Sequence, residues 1–523
     1  MTAERILMGG APEGFDARIV ARELARGRPV IHVARDDKRA AAMRAALAVM
    51  APEVAVLEFP AWDCLPYDRV SPNPEISARR MATLAALADG LAGPFVLLTT
   101  LNAATQKVPA REVVRAASFR ATVGERVDEA RLKGFLARMG FSPVSTVAEP
   151  GDYALRGGIV DIYPPGPGGP IRLDFFGDVL DGARRFDAGS QRTVEKLKSV
   201  DFSAVSEVIL DEAAIARFRQ NYRIAFGAAG TDDPLYEAVS AGRKHQGMEH
   251  WLPFFHERLE TLFDYLPKAS VLLDDQVTPA RLARWEGTLD SYDARHEAMG
   301  AKGRIDTIYK PVPAEELYLD DAGWEAALAA TRVVQLSPLA QSPGPGVLDA
   351  GARAGRNFAP ERQQEKINLF GALAEHVQVL AKTGQVVIAS WSEGARERLK
   401  GLLADNGLTG AREIADFREV PEGRGGLFLV VWPLEAGFVA PGLAVISEQD
   451  VLGERLTAKP RRKRKAENFL REVDTLSPGD LVVHVEHGVG RYLGIETITA
   501  LGAPHACVML EYAENAKLYL PVE

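Results

Sequence analysis

The chain has 523 residues, 47% hydrophobic and 25% charged, which is ordinary globular composition in a length beyond what one hydrophobic core serves, so three to five domains are expected. Lys plus Arg number 62 against 71 Asp plus Glu, a net charge of -9, which excludes a surface basic all over and leaves any nucleic-acid site to a local patch. The two cysteines, Cys64 and Cys507, exclude a disulfide framework or a cysteine-based zinc site, and no stretch reaches the roughly 18 uninterrupted apolar residues of a membrane span, so a reducing cytoplasmic setting is expected.

From Arg5 to about Pro109, short apolar runs alternate with Ala/Arg/Leu-rich segments of helical period: ILM, DARIVARELARG, PVIHVA, DKRAAAMRAALAVM, VAVLEFP, ISARRMATLAALADG and FVLLT. This alternation predicts a parallel sheet with helices on its faces. Gly27 is placed to supply the left-handed C′ residue of the first helix, and Asp36 or Asp37 the N-cap oxygen of the second. From about Gly151, short strands and turns (YALRGGIVDIYPP, GPGGP, IRLDFFGDVLDGARRFD) predict an α+β insert rich in antiparallel pairing. Helical character returns near Glu212. The strand VLLDD at 271–275 is where the first fold is expected to resume, if the insert interrupts one domain rather than separating two.

A Pro/Ser/Gly-rich loop at 337–346 leads into a second α/β pattern with QVVIAS, SEGARERLKGLLADNG, GLFLVVWP and LAVISE. After the basic run KPRRKRK at 459–465, the segments GDLVVHVEHGVGRYLGIETI and ACVMLEYAENAKLYLPV alternate at period two, as strands of a small β-barrel do. The fold class read from this is α/β multidomain. An α/β domain in two parts, 1–115 and 207–335, surrounds an α+β insert at 116–206; a small α/β domain at 346–452, a basic linker at 453–476 and a β-barrel at 477–523 follow.

The segment from Gly9 to Asp16 follows a strand and opens a helix, and Gly9 and Gly14 have the outer spacing of a phosphate loop. Such a loop needs a lysine for the phosphates and a hydroxyl for Mg²⁺, where this chain has Phe15 and Asp16. Asp16 and Glu13 would repel a triphosphate, so the segment reads as a strand-to-helix turn with Asp16 capping, without ATP chemistry. His250 and His256 flank Pro253 at a spacing unsuited to one metal on a helix, and they read as core. The cations Arg461, Arg462, Lys463, Arg464 and Lys465 read as a solvated linker, with contact to a DNA backbone as the sharper alternative. Phe175 and Phe176 are adjacent on a strand and point to opposite faces, so one fills the core while the other is exposed near Arg156 and Arg172.

The motifs FPAWDCLPYDRVSPNPEISARRMATL, LRGGIVDIYPP, IRLDFFGDVLDGARRFDAGSQRT, MEHWLPFFHERLETLFDYLP and GDLVVHVEHGVGRYLGIETI, in this order, resemble the N-terminal half of the bacterial transcription-repair coupling factor (Mfd) family. Residues 1–335 resemble the excision-repair subunit UvrB with a degenerate phosphate loop, and the tail resembles a CarD-like module of Tudor/SH3 type. The resemblance implies an adaptor for transcription-coupled nucleotide excision repair. Its insert would bind UvrA through Arg156, Arg172 and Phe176. Its tail would add a strand to the RNA polymerase β subunit along Gly494, Ile495, Glu496, Thr497, Ile498 and Thr499. It also implies a motor using ATP, Mg²⁺ and double-stranded DNA beyond Glu523, so the chain is expected to be a fragment or one product of a split gene, monomeric and without a cofactor of its own. With the family's C-terminal cover missing, the UvrA face is expected to stand open, and Arg172→Ala to cost affinity without unfolding the insert. The competing readings are a CarD-type polymerase-binding regulator without a repair role and an autonomous ATPase.

Overall fold

The computed structural model describes residues 4–91, 93–166, 168–227, 233–300, 309–364, 368–453, 479, 481–484, 488–500, 503–512 and 516–521. Seven strands form one all-parallel sheet, in the order Val347–Asp349, Arg5–Gly9, Val333–Leu336, Ser270–Leu273, Val30–Ala34, Val96–Thr100, Val56–Phe59. The runs VIHVA and VLLTT are buried along their whole length. A parallel sheet covered on both faces has no solvent side on which polar residues could alternate. Helix starts are set locally: Asp36 accepts the Arg39 backbone N–H at 2.8 Å ahead of the helix Asp37–Met50, and Asn73 with Pro74 opens Pro74–Asp89. Gly27 takes a φ of +81° one position beyond the C′ residue of the helix Asp16–Leu24.

The chain leaves this sheet after Thr100 and returns to fill its middle. Ser270–Leu273 and Val333–Leu336 lie between Arg5–Gly9 and Val30–Ala34, so the segment from 101 to 269 is an excursion from a single sheet. The excursion holds a second sheet, in the order Thr193–Leu197, Val179–Phe186, Ile171–Phe176, Ile159–Ile162, Asp152–Arg156, Ser142–Pro143, antiparallel except for the last pair. A ribbon of Ser118–Thr122 with Ser199–Ser203 ties its two ends. At its root lies a buried ion pair. Arg80 and Glu207, with side chains 0% and 1% exposed, meet at 2.6 and 3.1 Å. Pro60 O accepts from Arg80 at 2.8 Å, Trp62 Nε1 donates to Glu207 at 3.0 Å, and the guanidinium lies 4.2 Å from the Phe59 ring centroid. Partners on every side are what make a buried pair tolerable.

Beyond the Pro/Ser/Gly loop, Val347–Asp349 adds to the edge of the first sheet before a six-stranded sheet begins. Its order is Arg353–Ala354, Phe438–Ala440, Leu443–Ser447, Gln385–Ser390, Leu427–Val431, Arg412–Ile414. One apolar cluster spans both sheets, with Ile6, Phe15 and Val20 packed among Val387, Phe428, Trp432 and Phe438. The loop therefore joins two layers of one core, and Met1–Gly453 form one compact unit. The second unit, Glu454–Glu523, contains an antiparallel sheet of Leu481–His484, Gly488–Ala500, Ala503–Glu511 and Lys517–Pro521 in chain order. Tyr492, Val508 and Leu510 are its buried core. Among the described residues no helix is long and apolar enough to cross a membrane.

Removing one member of the Arg80–Glu207 pair leaves a charge buried without a partner. Glu207→Ala is expected to cost about 3–5 kcal/mol in urea denaturation, and the double substitution Arg80→Met with Glu207→Leu distinctly less than the single one.

Candidate functional site

The turn from Gly9 to Asp16 is sealed. Gly10 and Gly14 have φ of +64° and +89°, and a Cβ at Gly14 would stand 2.9 Å from the Trp432 ring and 3.0 Å from Leu434. These glycines admit the second layer of the core. The Gly10 and Ala11 N–H groups donate to Leu339 O and Ser337 O at 3.0 and 2.9 Å, so they are not presented to an anion. Phe15 is 1% exposed, with its ring edge-on to Phe438 at 5.5 Å. Asp16 does not cap the helix as its position suggested. The N-cap is Phe15, with no side-chain cap bond, and Asp16 is the first helical residue. Its carboxylate accepts the Gly14 N–H at 3.0 Å and turns inward to a buried cation.

That cation is Arg39. Its guanidinium reaches Asp16 at 2.7 Å, Asp274 at 2.9 and 3.0 Å, and Glu13 at 3.1 Å. The carboxylate is thus paired with an opposite charge in the buried interior, where an unpaired charge is costly. Burial, reinforced by the neighbouring carboxylates and only partly offset by Arg39, pushes the Asp16 carboxyl up to about 6. Burial also opposes ionisation of Asp274, yet its bonds from Arg39 hold that carboxyl below the usual range. The sequence reading missed Arg39 and Asp274. The available signal was an acid closing an apolar strand, since parallel strands end at one edge of their sheet.

In the insert, the register sets Arg172 opposite Asp161 and Asp174 opposite Ile159, which in turn faces Arg156. Arg156, Arg172 and Phe176 thus share one face, while Phe175 packs on the main core from the other. Phe176 is 83% exposed. Arg156 donates to Ser145 O and, at 3.2 Å, to Thr146 Oγ1. Arg172 is committed inside the sheet, with two bonds to the buried Asp161 at 2.6 and 2.8 Å and its guanidinium 4.9 Å from the Phe186 ring centroid. Arg172→Ala would therefore remove the two bonds that the buried Asp161 carboxylate accepts, a structural cost beside any loss of affinity.

In the tail, Gly494–Thr499 lie on the strand Gly488–Ala500 and pair on one side with Ala503–Glu511. Leu481–His484 covers only Gly488–Arg491 on the other side, so 494–499 keep an edge with no partner strand among the described residues. Gly494, at φ +131°, sits at a register shift where that edge begins. The cations from Arg461 to Lys465 lie outside the described residues. His256 bonds Glu207 O at 2.9 Å, and burial holds His250 down to about 4, a neutral core side chain.

Comparison with known proteins gives a consistent result. Residues 119–207 match the UvrB interaction domain, residues 380–451 the MFD D3 domain, and residues 476–523 the CarD-like/TRCF RID domain. These matches define a multidomain α/β scaffold carrying a UvrB-type interaction module. The transcription-repair-coupling factor of Escherichia coli K12 is 32% identical over 527 residues, covering 99% of this chain and 44% of the relative. That of Haemophilus influenzae is 29% identical with the same shares, and that of Myxococcus xanthus is 32% identical over 94% of this chain and 42% of the relative. The chain is related along its whole length to transcription-repair-coupling factors and corresponds to their N-terminal half, spanning about 44% of their length.

Two outcomes are expected. Asp16 holds a proton in the folded protein at pH values where the unfolded chain has released it. Its contribution is therefore complete below about pH 4 and is lost as pH rises through 6, a change of roughly 3 kcal/mol. Asp16→Asn should remove that slope from urea-denaturation stabilities measured between pH 4 and 7. Arg172→Ala should destabilise the protein by roughly 2–3 kcal/mol, while Phe176→Ala stays within about 0.5 kcal/mol of wild type in the same assay.

Proposed function

We propose that this chain is a docking scaffold for transcription-coupled nucleotide excision repair, joining RNA polymerase to recruitment of UvrA. The observation that carries the reading is the succession, on one chain similar throughout to transcription-repair-coupling factors, of a UvrB interaction domain and a CarD-like/TRCF RID domain. The UvrA contact falls on the insert face with Arg156 at one end and Phe176 at its tip. A large exposed aromatic beside a cation has the composition of an interface hot spot. Arg172 enters chiefly by holding Asp161 and the sheet beneath.

The polymerase contact falls on the edge from Gly494 to Thr499, in a tail we read as a small barrel of Tudor type. A partner strand from the β subunit would draw affinity from main-chain hydrogen bonds there. The turn from Gly9 to Asp16 is read as a degenerate phosphate loop kept as scaffold. Supporting this reading, Phe15 is buried and Asp16 is held by Arg39, at the two positions where a working loop carries its lysine and hydroxyl. ATP, Mg²⁺ and duplex DNA belong, on this reading, to motor domains of the family and have no assigned place in this chain.

Titration calorimetry of the chain against UvrA and, separately, against polymerase tests the proposal. Phe176→Ala and Arg156→Glu are each expected to weaken UvrA about tenfold or more and to leave polymerase binding unchanged, with Ile498→Glu doing the reverse. Polymerase binding without any UvrA binding would leave only a CarD-type regulator.

A further inference from the structure

Neither docking face uses a groove of the first unit that runs between the helices Arg111–Ala116 and Glu212–Phe226. Its cavity is about 300 Å³. That is the lower end of the roughly 300–1,000 Å³ of pockets that enclose whole small ligands, so it suits a body of one or two rings. Val113, Ala117, Met139, Ile209 and Ala214 give it an apolar lining. A thioether makes favourable contacts with ring edges, so Met139 suits the groove to an aromatic body.

The charged groups around the groove are already matched. Arg258 meets Glu112 at 2.7 Å and Glu260 at 2.8 Å, and Arg217 meets Glu257 at 3.2 Å and Phe255 O at 2.6 Å. Asp211 accepts the Ala214 N–H at 2.7 Å as the N-cap of the second helix. A charged ligand would compete with these pairs, and a neutral one leaves them in place.

One polar group of the lining is left half-used. His256 is 5% exposed, and its Nε2 lies 2.9 Å from Glu207 O. A carbonyl oxygen only accepts, so Nε2 carries the proton and Nδ1 keeps its lone pair. Burial holds the ring below the usual histidine range, which keeps it neutral at neutral pH. Among the described residues nothing bonds Nδ1, yet it is not sealed in the core as both nitrogens of His32 and Nδ1 of His250 are. His256 therefore brings an accessible acceptor without a donor to an otherwise apolar groove. Such an acceptor rewards a ligand that supplies a hydrogen bond and penalises one that covers it without a donor.

We infer that this groove is a binding site for a small neutral molecule with an aromatic body and one N–H or O–H group, which donates to His256 Nδ1. It is separate from the sealed turn at Gly9–Asp16 and independent of the docking surfaces proposed above. Titration calorimetry of the full chain with indole, and in parallel with 1-methylindole, tests it, because methylation removes the donor and keeps the rings. Indole is expected to bind, and 1-methylindole about tenfold or more weakly than indole. Ala116→Phe and Ala213→Trp enlarge exposed side chains that line the groove and so fill it from its rim. Each should weaken indole about tenfold or more at unchanged melting temperature.

Should one of these substitutions unfold the protein, the other decides alone. No binding of indole by wild type, equal binding of 1-methylindole, or indole binding that survives the substitutions and so belongs elsewhere overturns the inference.

Discussion

One buried guanidinium sets the terms for the first unit. Arg39 ties Glu13 and Asp16, in the turn and helix start that follow the first strand, to Asp274, which lies 235 residues further along the chain than Arg39 itself. Burial raises the pKa of Asp16, and the other two carboxylates around the same cation add to the rise. With Asp16 drawn inward, Phe15 turns toward Phe438 and Trp432, and the second α/β layer closes over the turn. The ion cluster and the apolar contact therefore require each other. A lysine at position 15 would lose the apolar contact.

On the reading proposed above, the two docking surfaces use opposite physics. The insert presents side chains on a sheet whose charges are largely matched internally, Arg172 with Asp161 and Arg184 with Asp174. Little ordering remains to be done when a partner arrives, which is the condition under which a single exposed aromatic contributes strongly. The tail presents a main-chain edge, whose hydrogen bonds depend on register more than on any one side chain. Substitutions would accordingly act sharply at the first surface and diffusely at the second.

The parts of the structure legible in the sequence were those with a local cause. The parallel sheet was announced by apolar runs such as VIHVA, the second helix by Asp36, and the two faces of the insert strand by the alternation through Phe175 and Phe176. The missed parts arise from contacts between distant segments. The bond from Arg39 to Asp16 competes with a cap only because the fold brings the two together, and no periodicity reports that. The three-residue strand Val347–Asp349 is too short to carry a period, so the loop before it read as a boundary. The pairing of Arg172 with Asp161 went unread because the two lie on neighbouring strands; an acid within the apolar run IVDI was the available signal.

The order of strands in the first sheet has a consequence for how the chain is made. Arg5–Gly9 precedes both of its neighbours, Val333–Leu336 and Val347–Asp349, by a long stretch of chain, so it waits unpaired until they are synthesised. The insert, whose pairings all lie within residues 118–203, can complete itself during that interval. The nascent protein thus acquires its excursion before the body from which it departs. During the same interval the apolar side chains of that strand stay without the neighbours that cover them in the finished sheet.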